Sequence, residues 1–305
     1  MMKVGLTGGT GFIGQYLINE YGSEMEFVVP TRRTEFQYLE NNAAYIHIES
    51  EDDFCRVFSG CEAVIHLAGH VMHGMDTNLK VDDYVDNISL SERVFAACHE
   101  LEIHNVINAS SVAVYDQIDE TPVKEDGVCQ PNSIYGVMKI AVEKIAEIYN
   151  RRFDMNIKTL RLAQGVGVQK NMDEHSFWTL LIQNSYLGKD IPLYGEGITG
   201  RDIIYVKDMA YAIACAVGKP HVKGVFNIGT GKITSNAELA YAFGKGFGKG
   251  SGIEYIDKPE SGIRTCMDIS RAEQILGFAP RYHLAAMVAD IKYEYQKMMG
   301  ESNCG

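Results

Sequence analysis

The chain has 305 residues, and 46% of them are hydrophobic, which is enough to bury a large core. Its 40 acidic residues outnumber the 28 lysines and arginines, and the formal net charge of −12 argues against nucleic acid as a partner. The seven cysteines include no CxxC pair, and no apolar stretch is long enough to span a bilayer. These features predict a cytoplasmic protein with reduced thiols, no metal site and no membrane attachment.

The predicted elements of the first half alternate between short apolar runs and longer amphipathic runs, a pattern typical of βαβ units. Six strands are expected at residues 3–7, 26–30, 44–48, 63–67, 106–109 and 157–162, and a seventh at 225–228. A last helix is expected at about 284–298, with an apolar stripe that belongs to the core. The chain is therefore predicted to have an α/β fold built on a doubly wound parallel sheet, whose strands all end at one edge.

A glycine-rich loop directly follows the first predicted strand and leads into a helix. In TGGTGFIG, Gly8, Gly11 and Gly14 have the spacing GxxGxxG. The first two permit a tight turn and a close approach of the backbone to a pyrophosphate, and the third lets the helix pack closely on the strand. The loop predicts a Rossmann-like fold that binds a dinucleotide through these glycines together with Phe12 and Ile13.

The end of the second strand bears on the choice of dinucleotide. An NAD site usually places an acid there to bind the ribose 2′-hydroxyl, but this chain has Thr31, Arg32 and Arg33. Two arginines suit a 2′-phosphate, so NADP is favoured over NAD, with Arg32 nearer to the strand end. The alternative is that both arginines are solvated loop residues.

Tyr135 and Lys139 are one turn apart in a predicted helix, and Ser111 stands at the carboxyl end of the fifth strand. A free tyrosine has a pKa near 10, so acid/base work at neutral pH requires a pKa that is lower by about three units. The Lys139 ammonium and a positively charged nicotinamide are expected to lower it. Ser111 is expected to orient the substrate oxygen. Weaker candidates at the same edge are His70, His73 and His175.

Together these motifs resemble the extended short-chain dehydrogenase/reductase family, in its NAD(P)-dependent epimerase/dehydratase branch. The resemblance covers nearly the whole chain. Besides TGGTGFIG and YGVMK, the matching segments are VIHLAG at 64–69, Asn87, SSVAVY at 110–115, Pro131, LRLA at 160–163, RDIIYVKDMA at 201–210, FNIGTG at 226–231 and MDISRAEQILGFAP at 267–280.

The resemblance implies roles for individual residues. Ser111 would donate the catalytic hydroxyl, Tyr135 would be the acid/base and Lys139 would bind the nicotinamide ribose. Further cofactor contacts are implied for Ile48, Leu67, Ala68, Gly69 and Asn87. A role facing the sugar-nucleotide diphosphate is implied for Arg201 and, with a looser match, for Lys258 or Arg264. His70, from its place after the fourth strand, and Gln164 are further candidate substrate contacts. A homodimer built from the helices that begin near Leu79 and Ser133 is implied as well.

Three departures from the family pattern are informative. His47 and Ile48 stand where many members have an aspartate that holds the adenine, and Gln164 replaces a familiar asparagine. Val112 and Ala113 follow Ser111, where sugar 4,6-dehydratases resemble one another in an Asp and Glu pair. Loss of water is therefore disfavoured for this chain.

These arguments predict hydride transfer at a carbinol carbon of a nucleotide sugar, at C4, by a 4-epimerase or a 4-ketoreductase. A reductase of a non-sugar carbonyl that uses NADPH, and a non-catalytic protein that senses the dinucleotide, are the alternatives. The predicted domains are a dinucleotide-binding Rossmann domain at 1–165, with returning segments at about 201–245, and a smaller interleaved α/β substrate-binding lobe at 166–200 and 246–305.

Overall fold

The computed structural model describes residues 1–32, 43–69, 81–115, 121–169, 176–260 and 265–300. Within these ranges the strands are β1 (Met2–Thr7), β2 (Met25–Thr31), β3 (Ala43–His47), β4 (Ala63–His66), β5 (Asn105–Ser111), β6 (Asn156–Leu162), β7 (Gln164–Val166), β8 (Ile191–Tyr194), β9 (Gly200–Tyr205), β10 (Gly224–Ile228), β11 (Ile233–Ser235) and β12 (Ile253–Ile256). The α-helices are α1 (Phe12–Tyr21), α2 (Phe54–Phe58), α3 (Val81–Glu100), α4 (Ile134–Arg152), α5 (Phe177–Leu187), α6 (Val206–Val217), α7 (Asn236–Phe247) and α8 (Leu284–Met298).

Seven strands form one parallel sheet in the order β10-β6-β5-β4-β1-β2-β3. Alternate residues of each strand face opposite sides, so Phe27 and Val29 join one core cluster with α1 and α6, while Val28 joins the other with α2, α3 and α4. Helices thus cover both faces, as apolar parallel strands require. The predicted doubly wound α/β fold is confirmed.

The chain order reverses beside β1, which has β2 on one side and β4 on the other. Crossovers from β1 lead outward through β2 to β3, and the chain then returns to form β4 on the opposite side. Such a switch point leaves a crevice at the carboxyl ends of the two central strands, where ligands bind in open α/β sheets. The glycine loop and the segment after β4 both lie at this crevice.

The smaller lobe contains a three-stranded sheet, β11-β9-β7, and a two-stranded sheet, β12-β8. A third core cluster joins α5, α7 and α8, and Phe12, Ile13 and Tyr16 of α1 pack against it. Helix α1, which follows the glycine loop, therefore packs against both lobes. The domain boundaries predicted above stay a prediction, although β10 does lie in the large sheet.

In the part of the chain that the structure describes, no helix combines the length and the hydropathy that crossing a bilayer requires. Over the same ranges, no group of three or more His, Cys, Asp or Glu side chains is arranged to hold a metal ion.

Candidate active site

The glycine loop makes a turn that a side chain would block. Gly8 has φ +72°, and a Cβ there would lie 2.7 Å from the backbone nitrogen of Ala68. A Cβ at Gly14 would collide with the Gly8 carbonyl oxygen. Gly11 is the N-cap of α1, so no side chain caps the first-turn N–H groups. The loop is a cradle with unpaired backbone donors at a positive helix end, which is what a pyrophosphate requires.

A buried histidine that the sequence analysis missed connects this loop to its neighbours. The Thr7 hydroxyl accepts from Ala68 N at 3.2 Å and bonds His66 Nδ1 at 2.7 Å. His66 Nε2 bonds Ser91 Oγ at 2.9 Å, and Ser91 donates to the Asn87 carbonyl oxygen at 2.8 Å. Because Ser91 already donates to that carbonyl, His66 carries its proton on Nε2.

His66 is therefore neutral, and burial lowers its pKa to about 3, with a smaller contribution from the Lys139 charge. The chain of bonds ties β1, β4 and α3 together and fixes the 67–69 loop at the crevice. The available signal in the sequence was a histidine inside an otherwise apolar strand, directly before that loop.

His66 predicts a specific acid sensitivity. Its pKa is about 3 in the folded protein and about 6.5 in an unfolded chain. Between these values the unfolded state binds more protons, so this contribution to stability is lost as pH falls below about 6.5. We expect wild type to lose about 2 kcal/mol more than His66→Gln between pH 7 and pH 5, as measured by urea unfolding. Equal losses in the two proteins would contradict this account.

Two other predicted cofactor contacts, Thr31 and Ile48, are neighbours. Both are buried, and Ile48 N donates to the Thr31 carbonyl oxygen at 3.0 Å. Asn87 is buried on α3, and its Oδ1 lies 3.3 Å from where a Cβ of Gly69 would stand. Arg32 is exposed beside Thr31. Arg33 lies outside the described residues.

The structure brings Ser111, Tyr135 and Lys139 together. Ser111 ends β5, and its side chain lies close enough to the Tyr135 hydroxyl, in the first turn of α4, to influence the pKa of that hydroxyl. Lys139 Nζ donates to the Ala109 carbonyl oxygen at 2.8 Å and lies 5.6 Å from the centroid of the Tyr135 ring. Ser133 begins the helix by accepting from Gly136 N at 3.1 Å, which sets where Tyr135 falls on it.

The lowering of the Tyr135 pKa that was expected from Lys139 together with the nicotinamide stays a prediction. Burial raises the pKa of Tyr135, and the Ser111 side chain opposes that rise. The ammonium of Lys139 is directed to the Ala109 carbonyl instead of the tyrosine hydroxyl. Burial also lowers the pKa of Lys139 to about 8, while Glu143 raises it. Any lowering of the Tyr135 pKa thus depends on groups that a bound dinucleotide adds.

A second buried cluster lies behind the serine strand and was also missed. Ser110 Oγ donates to Glu143 Oε1 at 2.5 Å, and Arg161 Nη2 pairs with Glu143 Oε2 at 2.7 Å. Arg161 also bonds the Tyr115 hydroxyl, which donates to Asn227 Oδ1 at 3.0 Å. A glutamate on the inner face of an amphipathic helix and an arginine inside an apolar strand were the signals for this pair.

The predicted substrate contacts are less concentrated. Gln164 is half-buried on β7, and Arg201 is exposed on β9, where it is bridged to Thr265. Lys258 Nζ lies over the Tyr194 ring, 5.2 Å from its centroid. The remaining candidates, which are His70, His73, His175 and Arg264, lie outside the described residues.

Tyr194 also lines a cavity of about 230 Å³ in the smaller lobe, which no sequence motif predicted. Its walls include Phe177, Leu180, Leu193, Asn236 and Glu260. Glu260 accepts from Ile198 N at 3.1 Å and from Thr199 N at 2.7 Å, and these hydrogen bonds lower its pKa to about 2. The cavity is lined by aromatic side chains together with an amide and a carboxylate.

Comparison with known proteins agrees with this geometry. A model of the NAD dependent epimerase/dehydratase family matches residues 4–229. The chain belongs to this family. The predicted resemblance is thereby confirmed, and the chain is an enzyme of the extended short-chain dehydrogenase/reductase type.

Individual members of the epimerase/dehydratase family are similar over their full length. A relative from Bacillus subtilis (strain 168), described as an uncharacterized UDP-glucose epimerase, is 26% identical, over 98% of this chain and 100% of its own. The structure of a UDP-N-acetylglucosamine 4-epimerase from Bacillus cereus is 27% identical, with a TM-score of 0.87 and coverage of 100% and 99%. MoeE5, solved in complex with UDP-glucuronic acid and NAD, is 26% identical, with a TM-score of 0.82 and coverage of 97% and 99%.

The residues present fit the cofactor that the family name implies. The Gly8 and Gly14 cradle and the uncapped start of α1 would receive its pyrophosphate. The fixed 67–69 loop lies beside them, and Lys139 is one turn from Tyr135 on α4. These groups converge on the crevice where Ser111 and Tyr135 meet.

Proposed function

We propose that the protein is a nucleotide-sugar 4-epimerase, which inverts C4 of a hexose linked to a nucleoside diphosphate. The observation that carries this proposal is the contact between Ser111 and Tyr135 at the crevice beside the glycine cradle. The full-length similarity to a UDP-glucose epimerase and a UDP-N-acetylglucosamine 4-epimerase supports the same reaction at a UDP-sugar.

In this reaction the Tyr135 hydroxyl oxygen, as the phenolate, takes the proton of the C4 hydroxyl and later returns it. Ser111 holds the same substrate oxygen through a hydrogen bond, and Lys139 binds the ribose of the cofactor. The nicotinamide, when bound, supplies the site that accepts and returns hydride. Val112 and Ala113 follow Ser111 and offer no acid or base, so the proposal excludes the loss of water that dehydratases in the family perform.

A second candidate is a 4-ketoreductase that consumes NADPH, and Arg32 at the cofactor edge favours it. The two functions differ in net redox change. Purified protein would be incubated with UDP-glucose, UDP-N-acetylglucosamine and UDP-glucuronic acid, with trace NAD or NADP, and followed by proton NMR and by absorbance at 340 nm.

An epimerase forms the C4 epimer with no net change at 340 nm, whereas a reductase requires a 4-keto sugar and loses NADPH absorbance in proportion to product. If no UDP-sugar is converted, and no nucleotide raises the melting temperature of the protein with cofactor, the nucleotide-sugar proposal is wrong. Reduction of a non-sugar carbonyl then becomes the better explanation.

We further propose that NADP is preferred to NAD, because Arg32 directly follows β2, where an NAD site usually has an acid for the ribose 2′-hydroxyl. Charge-assisted hydrogen bonds contribute about 1.5–3 kcal/mol, so we expect Arg32→Ala to weaken NADP binding by about 10- to 100-fold. NAD binding should stay the same. Isothermal titration with each dinucleotide measures both constants, and Arg152→Ala, on the exposed end of α4, is the control. Equal losses for NAD and NADP would rule out a 2′-phosphate contact.

Exposed apolar residues on two helices support the homodimer that the resemblance implied. Val85 on α3 is 53% exposed, and Val137 on α4 is 56% exposed. We propose that these helix faces pair between two copies, which sedimentation equilibrium measures directly. The cytoplasmic location stays a prediction.

A further inference from the structure

The inner face of α4 contacts three consecutive residues of β5. The Ser111 side chain acts on the Tyr135 hydroxyl, the Ala109 carbonyl oxygen accepts from Lys139 at 2.8 Å, and Ser110 Oγ donates to Glu143 Oε1 at 2.5 Å. The helical residues are spaced by four, so they form one stripe along the helix. Glu143 is the third member of this stripe, and it takes no part in the proton and hydride transfers of the proposed reaction.

Glu143 is held more firmly than packing alone requires. Its carboxylate accepts four hydrogen bonds, one from Ser110 and three from the Arg161 guanidinium. Both charged side chains are about 5% exposed. A fork-to-fork arginine pair fixes the carboxylate in both position and orientation. A simpler way to fill this space would be an apolar residue, which is often no less stable than a buried ion pair.

The charge of Glu143 acts on Lys139, one turn away. Burial lowers the pKa of Lys139 to about 8, and Glu143 is the group that opposes this shift. Within the described ranges, the other titratable groups near this stripe include His66 from β4, which is neutral, Tyr84 from α3, and Arg161, Tyr115, Cys129, Glu125 and Lys144 around Glu143. Among the described residues, Glu143 is the acidic side chain that acts on the lysine.

We propose that Glu143, held by Arg161, is a positioning residue of the active site, which keeps Lys139 in its ammonium form and docks α4 on the serine strand at Ser110. This inference deepens the proposed function, because it rests on Lys139 as the group that binds the cofactor ribose. A charged lysine donates strong hydrogen bonds to the ribose hydroxyls, whereas a neutral amine holds them less well.

Glu143→Gln tests the proposal because it keeps the size of the side chain and removes the charge. The protein would be labelled with ¹³C at lysine Cε, the Lys139 resonance assigned with Lys139→Arg, and each variant titrated from pH 6 to pH 11. We expect the Lys139 midpoint to fall by about one pH unit or more in Glu143→Gln. In the control Ser110→Ala, which loses the hydrogen bond but keeps the charge, the midpoint should stay within about 0.3 units.

If Glu143 had only a structural role, Glu143→Gln would lower stability and leave the Lys139 midpoint unchanged. That result would overturn the proposal. If Glu143→Gln does not fold, the double variant Glu143→Met with Arg161→Met removes both charges and fills the space with apolar side chains. Its Lys139 midpoint should also fall, and an unchanged midpoint there overturns the proposal equally. The titration needs no turnover, so it is independent of whether any nucleotide sugar is a substrate.

Where the nucleotide-sugar activity is confirmed, the pH profile gives a second measurement. The alkaline limit of activity that follows Lys139 should move to lower pH in Glu143→Gln, in step with the NMR midpoint. An unchanged profile would show that the charge of Lys139 does not limit the reaction.

Discussion

Tyr135→Phe is expected to lower kcat by about 10³-fold or more, because general acid/base catalysis contributes roughly 10²- to 10⁴-fold. The tyrosine hydroxyl is the group that meets Ser111 at the crevice, and phenylalanine keeps the ring while removing the atom that moves the proton. Dinucleotide affinity should change by less than about threefold, since the glycine cradle is untouched.

The matched control is Tyr149→Phe on the same helix. The Tyr149 hydroxyl donates to Glu92 Oε1 at 2.7 Å, away from the crevice, so its loss should leave kcat unchanged. Initial rates with the best UDP-sugar and fluorescence titration of NADPH measure the two effects separately. Turnover that survives in Tyr135→Phe would remove the tyrosine from the mechanism.

Arg161→Met is expected to destabilise the fold by about 3–5 kcal/mol, the usual cost of leaving one member of a buried ion pair without its partner. Glu143 would keep only the bond from Ser110, and the Tyr115 hydroxyl would lose the guanidinium beside it. Urea unfolding of wild type and Arg161→Met at one pH gives the difference in their free energies of unfolding.

Two further variants provide comparisons for that measurement. Arg151→Met, at the exposed end of α4, should lie within about 0.5 kcal/mol of wild type. The double variant that replaces Glu143 as well should recover most of the loss, because no uncompensated charge remains. A single variant that loses less than about 1 kcal/mol would show that the carboxylate finds another partner or water.

The large sheet was predictable because its strands are buried on both faces and therefore read as continuous apolar runs. The first such run was expected at 3–7 and forms Met2–Thr7, and the run expected at 225–228 forms Gly224–Ile228. The short strands β7, β8, β11 and β12 of the smaller lobe were not predicted, since three or four residues such as Ile233–Ser235 carry too little periodicity.

The same distinction holds for the candidate site: relations within one helix could be predicted, and contacts between distant segments could not. Tyr135 and Lys139 were found because their relation is local, one turn of a single helix. The bond between Glu143 and Arg161 joins α4 to β6, and that of Thr7 to His66 joins β1 to β4, so neither is visible before the strands are placed side by side. The upward effect of burial on the Tyr135 pKa was not predicted for a related reason, because burial depends on the whole fold.

The position of β10 has a consequence for how the chain is made. This strand covers the open edge of β6, with Phe226 and Ile228 fully buried, yet it is translated only after the strands β7 to β9 of the other lobe. A ribosome that has finished β6 therefore carries a nearly complete sheet with one apolar edge unpaired. Chains that stall or are cleaved before residue 228 keep that edge, and it offers them a template for joining one another.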